Sequence, residues 1–236
     1  MDNCKVLCMH GYGTSAEFMK FQMATWLEKF PKTKFIFLDG MLPFDSRWTK
    51  NPDIINFHKD SRKKVFDNTA GKWTIDKVYV PEGNQTHAHP ERAEFQRMVD
   101  VIVQHQGVDA IFGFSQGGVI VEGFLSCMEM GFFDDVLKKE YKPYFSIIMC
   151  PPDSFLTPVQ LQIPVFLLMG SLDQITPISF IILTRFRNSQ HTFFEGGHRP
   201  PILSSRLYRL VQEFATKSIK NRQQYLKITE GLKQRL

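Results

Sequence analysis

Residues 113–117 read Gly113-Phe114-Ser115-Gln116-Gly117, between the apolar run Ala110-Ile111-Phe112 and a helix-like stretch that begins at Val119. A serine between two glycines, with a strand before it and a helix after it, is the pattern of a nucleophile elbow. The turn is sharp, its backbone is strained, and the hydroxyl stands exposed over a helix N-terminus. Residues two before and two after such a serine approach each other closely, so Gly113 and Gly117 are expected to be glycine because a side chain at either would collide with the neighbouring backbone. The motif therefore demands one architecture locally: a buried strand that ends where a helix starts.

The rest of the chain repeats that arrangement. Short, continuous apolar runs recur at 5–9, 34–38, 109–112, 145–149, 165–169 and 191–194, as expected of strands buried on both faces. Helical patterns lie between them. Thr14-Ser15-Ala16-Glu17 has capping-box spacing, and Met19, Met23, Trp26, Leu27 and Phe30 follow on one face. Pro90 stands where a first helical residue belongs, ahead of Phe95, Met98, Val99, Ile102 and Val103 at helical spacing. Further helices are expected over 116–130, 177–187 and 204–217. Alternating strands and helices predict an α/β fold with a mostly parallel sheet covered by helices on both faces. Ligands bind such sheets outside the carboxyl ends of the strands.

The 236 residues are enough for one substantial core, expected over 1–217. Residues 41–89 interrupt the alternation without a strong period, and a segment of that length is expected to form a lid or pocket wall, with Trp48 and Trp73 as candidate substrate-binding residues. From Lys217 onward six basic residues stand against the single acid Glu230, a local +5 that equals the net charge of the chain, and 218–236 reads as a basic C-terminal extension. The balanced remainder argues against a nucleic-acid-binding domain. No run reaches transmembrane length, no secretory signal is apparent, and Cys4, Cys8, Cys127 and Cys150 read as reduced core residues, so a cytoplasmic location is expected. The sequence does not fix an oligomeric state.

A serine hydroxyl needs a base, and the base needs an orienting group. The run 165–169 ends in Gly170-Ser171-Leu172-Asp173, and the run 191–194 ends in Glu195-Gly196-Gly197-His198. Asp173 is the candidate orienter and His198 the candidate base, with Glu195 as a substitute acid. Ser115, Asp173 and His198 follow the serine–acid–histidine order of the α/β-hydrolase fold, each just past a strand. The backbone N–H groups of Gln116 and of Tyr12, in the turn His10-Gly11-Tyr12-Gly13, are the candidate oxyanion donors. The other histidines have no comparable setting, no spacing suggests a metal site, and no cofactor is expected.

Four blocks resemble the fungal-type family of serine hydrolases, small α/β-hydrolases that include the ovarian-cancer-gene-2 esterase. They are Leu7-Cys8-Met9-His10-Gly11-Tyr12-Gly13, Asp109 to Gly118, Gly170-Ser171-Leu172-Asp173-Gln174-Ile175-Thr176-Pro177, and Gly196-Gly197-His198-Arg199-Pro200-Pro201. The resemblance implies esterase or thioesterase activity on a small acyl substrate, with Ser115, Asp173 and His198 at the family's triad positions. One block departs from it: where family members carry Ser-Gly, this chain has Cys150-Pro151-Pro152. A peptidase or lactonase using the same triad is the nearest alternative, and a non-catalytic ligand-binding relative the next.

Overall fold

The computed structural model describes residues 1–40, 42–43, 71–72, 75–79, 86–90, 92–152 and 160–233. Six parallel strands form the main sheet: β1 (Lys5–Met9), β2 (Lys34–Leu38), β7 (Ala110–Phe114), β8 (Phe145–Met149), β9 (Val165–Gly170) and β10 (Ser189–Phe194). Their order is β10-β9-β8-β7-β1-β2. Each of the six apolar runs forms one of these strands, within two residues of the expected bounds.

Continuous apolar runs are explained by what covers the sheet. Side chains alternate between two buried clusters: Val6, Cys8, Phe112, Ile147 and Leu168 lie in one, and Leu7, Met9, Ile111, Ile148 and Leu167 in the other. The first cluster is closed by α1 (Ala16–Gln22), α2 (Ala24–Lys29) and α6 (Ser205–Lys233), through Met19, Trp26, Leu207, Val211 and Phe214. The second is closed by α3 (Arg92–Gln104) and α4 (Gln116–Glu129), through Met98, Ile102, Ile120 and Phe124. The two edge strands are less enclosed, and exposed residues appear in both β2 and β10. α5 (Thr176–Ser179) passes into a 3-10 turn, Phe180–Arg185, where a single helix is expected from the sequence.

Two local differences from the sequence reading have simple causes. The first helix is capped by Ser15, whose hydroxyl accepts the Phe18 N–H at 3.1 Å, one residue later than the Thr14–Glu17 spacing suggests. Thr14 is otherwise engaged, donating its hydroxyl to the Gly11 carbonyl at 2.8 Å. Pro90 closes a strand rather than opening a helix, and α3 begins at Arg92.

Within 41–89 the described residues form two short antiparallel pairs, β3 (Leu42–Pro43) with β4 (Gly71–Lys72) and β5 (Ile75–Tyr79) with β6 (Thr86–Pro90). Trp48 and Trp73 lie outside the described residues. α6 runs without interruption across position 217. Among the described residues no helix is long and apolar enough to cross a membrane.

The strand order reverses between β1 and β7. From β1 the chain moves outward to β2, and from β7 it moves the other way to β10. A crevice opens at such a switch point, beyond the carboxyl ends of the two adjacent strands. The turn after β1 is Gly11-Tyr12, and the turn after β7 is Ser115.

Candidate active site

Ser115 has φ 51 and ψ −121, a strained backbone for a residue with a side chain. Its N–H donates to the Met149 carbonyl at 2.8 Å, and α4 begins at the next residue. A Cβ on Gly113 would stand 2.5 Å from the Gly117 carbonyl oxygen, so the elbow closes only on glycine there. Gly117 is constrained by a different neighbour. A Cβ on it would stand 2.3 Å from the carbonyl oxygen of Met9 and 2.5 Å from that of His10, so the absence of a side chain lets α4 press against the end of β1.

The acid and the histidine arrive from β9 and β10, two and three strands further along the sheet. Gly170 brings their loops together, since a Cβ on it would meet the carbonyl oxygens of Gly196 and Gly197, each at 2.6 Å. The Leu172 N–H donates to the Gly196 carbonyl at 2.9 Å. Asp173 Oδ2 then lies 2.8 Å from His198 Nδ1, and His198 Nε2 lies 2.8 Å from Ser115 Oγ. An ionised carboxylate only accepts, so Nδ1 carries the ring proton and, in the neutral ring, Nε2 accepts from the serine hydroxyl. Phe114 packs beside the imidazole with ring centroids 5.1 Å apart. Glu195 is exposed, and the carboxylate within hydrogen-bond distance of His198 is that of Asp173.

Asp173 has a nearly buried side chain, 2 % exposed. Its Oδ1 accepts the Ile175 N–H at 3.1 Å. The Cys150 thiol lies within 4.8 Å of this carboxylate and donates to the Arg199 carbonyl at 3.9 Å; burial, with Asp173 as a lesser cause, pushes that thiol up to about 12. Cys150 is therefore protonated and serves as a donor.

Tyr12 and Gln116 flank the serine from two sides. Gln116 is the first residue of α4, and the turn holding Tyr12 lies against the elbow, because a Cβ on Gly11 would stand 3.3 Å from the Cβ of Ser115. Beneath this turn sits His10, fully buried. Its Nδ1 is 2.8 Å from the Gly11 carbonyl, and its Nε2 accepts the Gly40 N–H at 3.0 Å. Burial, opposed in part by the Gly11 hydrogen bond and by Asp39 and Glu94, lowers its pKa, so the ring is neutral with the proton on Nδ1. Holding the Gly11 carbonyl fixes the Gly11–Tyr12 peptide plane, and with it the direction of the Tyr12 N–H. Neither His10 nor Cys150 has a role in the sequence reading. The neighbours that set the His10 tautomer and surround the Cys150 thiol, Gly40 in the first case and Asp173 and Arg199 in the second, are remote in the chain.

A cleft of about 440 Å³ lined by Lys139, Tyr144, Ile163, Pro164 and Arg222 opens elsewhere. It lies at the amino ends of β8 and β9, whereas the serine emerges at the carboxyl ends, so it does not serve Ser115.

A family model described as "Serine hydrolase (FSH1)" matches residues 1–208. An uncharacterized hydrolase of Schizosaccharomyces pombe is 23% identical over 211 residues, 84% of this chain and 47% of its own length. Esterase alnB of Emericella nidulans is 28% identical over 123 residues, 51% of this chain and 36% of its own length. The chain thus spans about half the length, or less, of the curated relatives it matches. Among solved structures, a carboxylesterase from Mesorhizobium loti aligns with a TM-score of 0.57 at 12% identity, covering 92% of this chain and 90% of that one. Zea mays acyl-protein thioesterase 2 aligns with a TM-score of 0.56 at 12% identity, covering 91% and 95%. Arabidopsis thaliana SOBER1 aligns with a TM-score of 0.55 at 12% identity, covering 92% and 99%. These likenesses establish the α/β-hydrolase fold.

Proposed function

The chain belongs to the serine hydrolase (FSH1) family, and from that premise we propose that it cleaves a carboxylic ester or thioester of a small acyl substrate through an acyl-enzyme on Ser115. The single observation that carries this reading is the unbroken hydrogen-bonded line Asp173–His198–Ser115, with both links at 2.8 Å. The esterase among its relatives and the thioesterase fold neighbour support the same substrate class.

In this mechanism Ser115 Oγ attacks the acyl carbonyl while His198 Nε2 takes the hydroxyl proton. Asp173 holds the Nδ1 proton in place and stabilises the imidazolium that forms. Charge develops on the carbonyl oxygen, where the Tyr12 and Gln116 N–H groups and the N-terminal end of α4 stabilise it. The imidazolium then protonates the leaving alkoxide or thiolate, and water, activated by the same histidine, releases the acid. We place the substrate channel on the side of the 41–89 excursion, because β6 runs within contact distance of α4. A cytoplasmic location fits four free thiols, three of them buried.

Labelling with a fluorophosphonate tests the nucleophile, and a panel of acyl esters, thioesters, lactones and peptides tests the leaving group. Ser115→Ala should lose both label and turnover while keeping the wild-type unfolding midpoint. Asp173→Asn should lower turnover by about 10⁴-fold, by holding the wrong His198 tautomer. Labelling retained in Ser115→Ala would sink the assignment, and a panel in which only peptides are cleaved would move the reading to a peptidase.

A further inference from the structure

Cys150, Asp173 and His198 each present one ligand-type atom, and these three atoms lie within 4.8 Å of one another. The nitrogen that faces the acid is Nδ1. We propose that these residues form a binding site for a thiophilic divalent cation of the zinc class, and that its occupancy switches the hydrolase off. The inference rests on the triad reading above.

The geometry is close to what such a cation needs. Any three points mutually within 4.8 Å share a centre no more than about 2.8 Å from each, while zinc takes sulfur, nitrogen and carboxylate ligands at about 2.0–2.3 Å. Side-chain shifts of about half an ångström therefore complete three bonds and leave a fourth position open to water. The donor set is a thiolate, an imidazole and a carboxylate, which suits zinc and its softer congeners and does not suit magnesium or calcium. Two of the three donors are buried and already held. Asp173 is fixed by the Ile175 N–H, and the Cys150 N–H donates to the Leu168 carbonyl at 2.9 Å. Cys150 occupies φ 47, a backbone conformation unusual for a residue with a side chain, just past β8, and its thiol lies within 4.8 Å of the acid.

Occupancy stops catalysis by a change of tautomer. As the metal–sulfur bond forms, the S–H bond breaks and the thiol proton passes to solvent. As the metal takes Nδ1, the ring proton leaves that nitrogen and a proton is placed on Nε2, so the imidazole stays neutral. Nε2 then carries a hydrogen where it faced the Ser115 hydroxyl with a lone pair, and it no longer accepts the serine proton. The cation sits on the acid side of the imidazole and leaves the acyl side open, so the chemical step is lost and substrate binding is kept.

The test starts from metal-free full-length enzyme that labels with a fluorophosphonate and turns over an ester; failure at that stage removes the triad reading and this inference with it. Added Zn²⁺ should then lower kcat at least about tenfold with KM unchanged and block labelling of Ser115, with both restored by EDTA, whereas Mg²⁺ should change neither. Cys150→Ser, scaled to its own metal-free rate, should need at least about tenfold more Zn²⁺ for half-inhibition. Co²⁺ added to Ser115→Ala should give thiolate-to-cobalt charge-transfer absorption that Ser115→Ala/Cys150→Ser lacks. If the serine-for-cysteine chains do not fold, the cation series and the cobalt spectrum of Ser115→Ala decide alone. In an enzyme that labels and turns over, equal zinc sensitivity of wild type and Cys150→Ser, inhibition competitive with substrate, or no charge-transfer band in Ser115→Ala would each overturn the site and leave the proposed function standing.

Discussion

At the scale of single residues, two opposing effects meet at Gly117. In an ordinary helix, replacing glycine by alanine gains about 1 kcal/mol of stability. Here the added Cβ would stand 2.3 Å and 2.5 Å from the carbonyl oxygens of Met9 and His10, and Met9 ends a strand paired on both sides. Overpacking against atoms that cannot turn away costs about 3 kcal/mol or more, so the steric effect wins. Gly117→Ala is expected to lower the urea midpoint, and a stabilised variant would show that α4 stands further from β1. His10 supplies a second test. Its pKa in the fold lies below the ordinary 6.5, chiefly because it is buried, so below that pH the unfolded chain binds a proton that the folded chain does not. The stability this gives is full above pH 6.5 and is lost as pH falls, with a slope of up to about 1.4 kcal/mol per pH unit. In His10→Asn, urea midpoints should fall less steeply than in wild type between pH 6.5 and 5. Equal slopes would mean that His10 takes up its proton in the fold as readily as in the unfolded chain. His105, lowered in the same direction, is present in both chains and cancels. Ser115, Asp173 and His198 were legible as candidates because each stands beside a strand end in a short local motif. His10 and Cys150 were not, because their neighbours are supplied only by folding.

At the scale of elements, the apolar runs announced the central strands because helices cover both faces of the sheet, and the signal weakened at β2 and β10, where cover is partial. Strand order was not legible, since it depends on which strands pair and not on what each contains. The two antiparallel pairs within 41–89 were missed because two-residue ladders and Pro-containing strands leave no period to read. One link between elements leaves no local pattern in the sequence. Glu122, on α4, is fully buried and pairs with Arg185 of the Phe180–Arg185 turn at 2.7 Å. The pair ties the helix that follows the serine to the segment that follows the acid. Removing one charge of such a pair costs about 3 kcal/mol or more, because the other stays buried without that counter-charge. Arg185→Met should therefore unfold at a clearly lower temperature, and adding Glu122→Gln should recover most of the loss. If the single and double variants melt together, the pair contributes little and packing holds the turn.

At the scale of the whole molecule, α6 decides where the folded unit ends. Its first part closes one face of the core: Leu207, Val211, Phe214 and Ala215 are buried, and Phe214 packs on Phe145 and Phe166 with ring centroids 5.7 Å and 5.2 Å away. Ser218 is the last buried residue in the described part of the helix. Beyond it, Arg222 reaches back to donate to the Lys139 carbonyl at 3.2 Å, an exposed hydrogen bond worth about 1 kcal/mol or less. We propose that the catalytic unit ends near 217 and that the basic stretch after it is dispensable for chemistry. Ending the chain after Lys220 removes Arg222, Lys227, Lys233 and Arg235 and, among the residues of described burial, no buried one, so turnover of small soluble esters should be unchanged and the melting temperature should fall by only a few degrees. Ending it after Glu213 instead removes Phe214 and Ala215 and opens the core beside β8 and β9. Loss of a core phenylalanine alone costs about 3–5 kcal/mol, against a total of about 5–15 for a domain, so that chain should not fold. The two truncations, compared by melting and by ester turnover, separate the alternatives: a chain ending at Lys220 that loses activity would place part of the basic stretch in the catalytic unit.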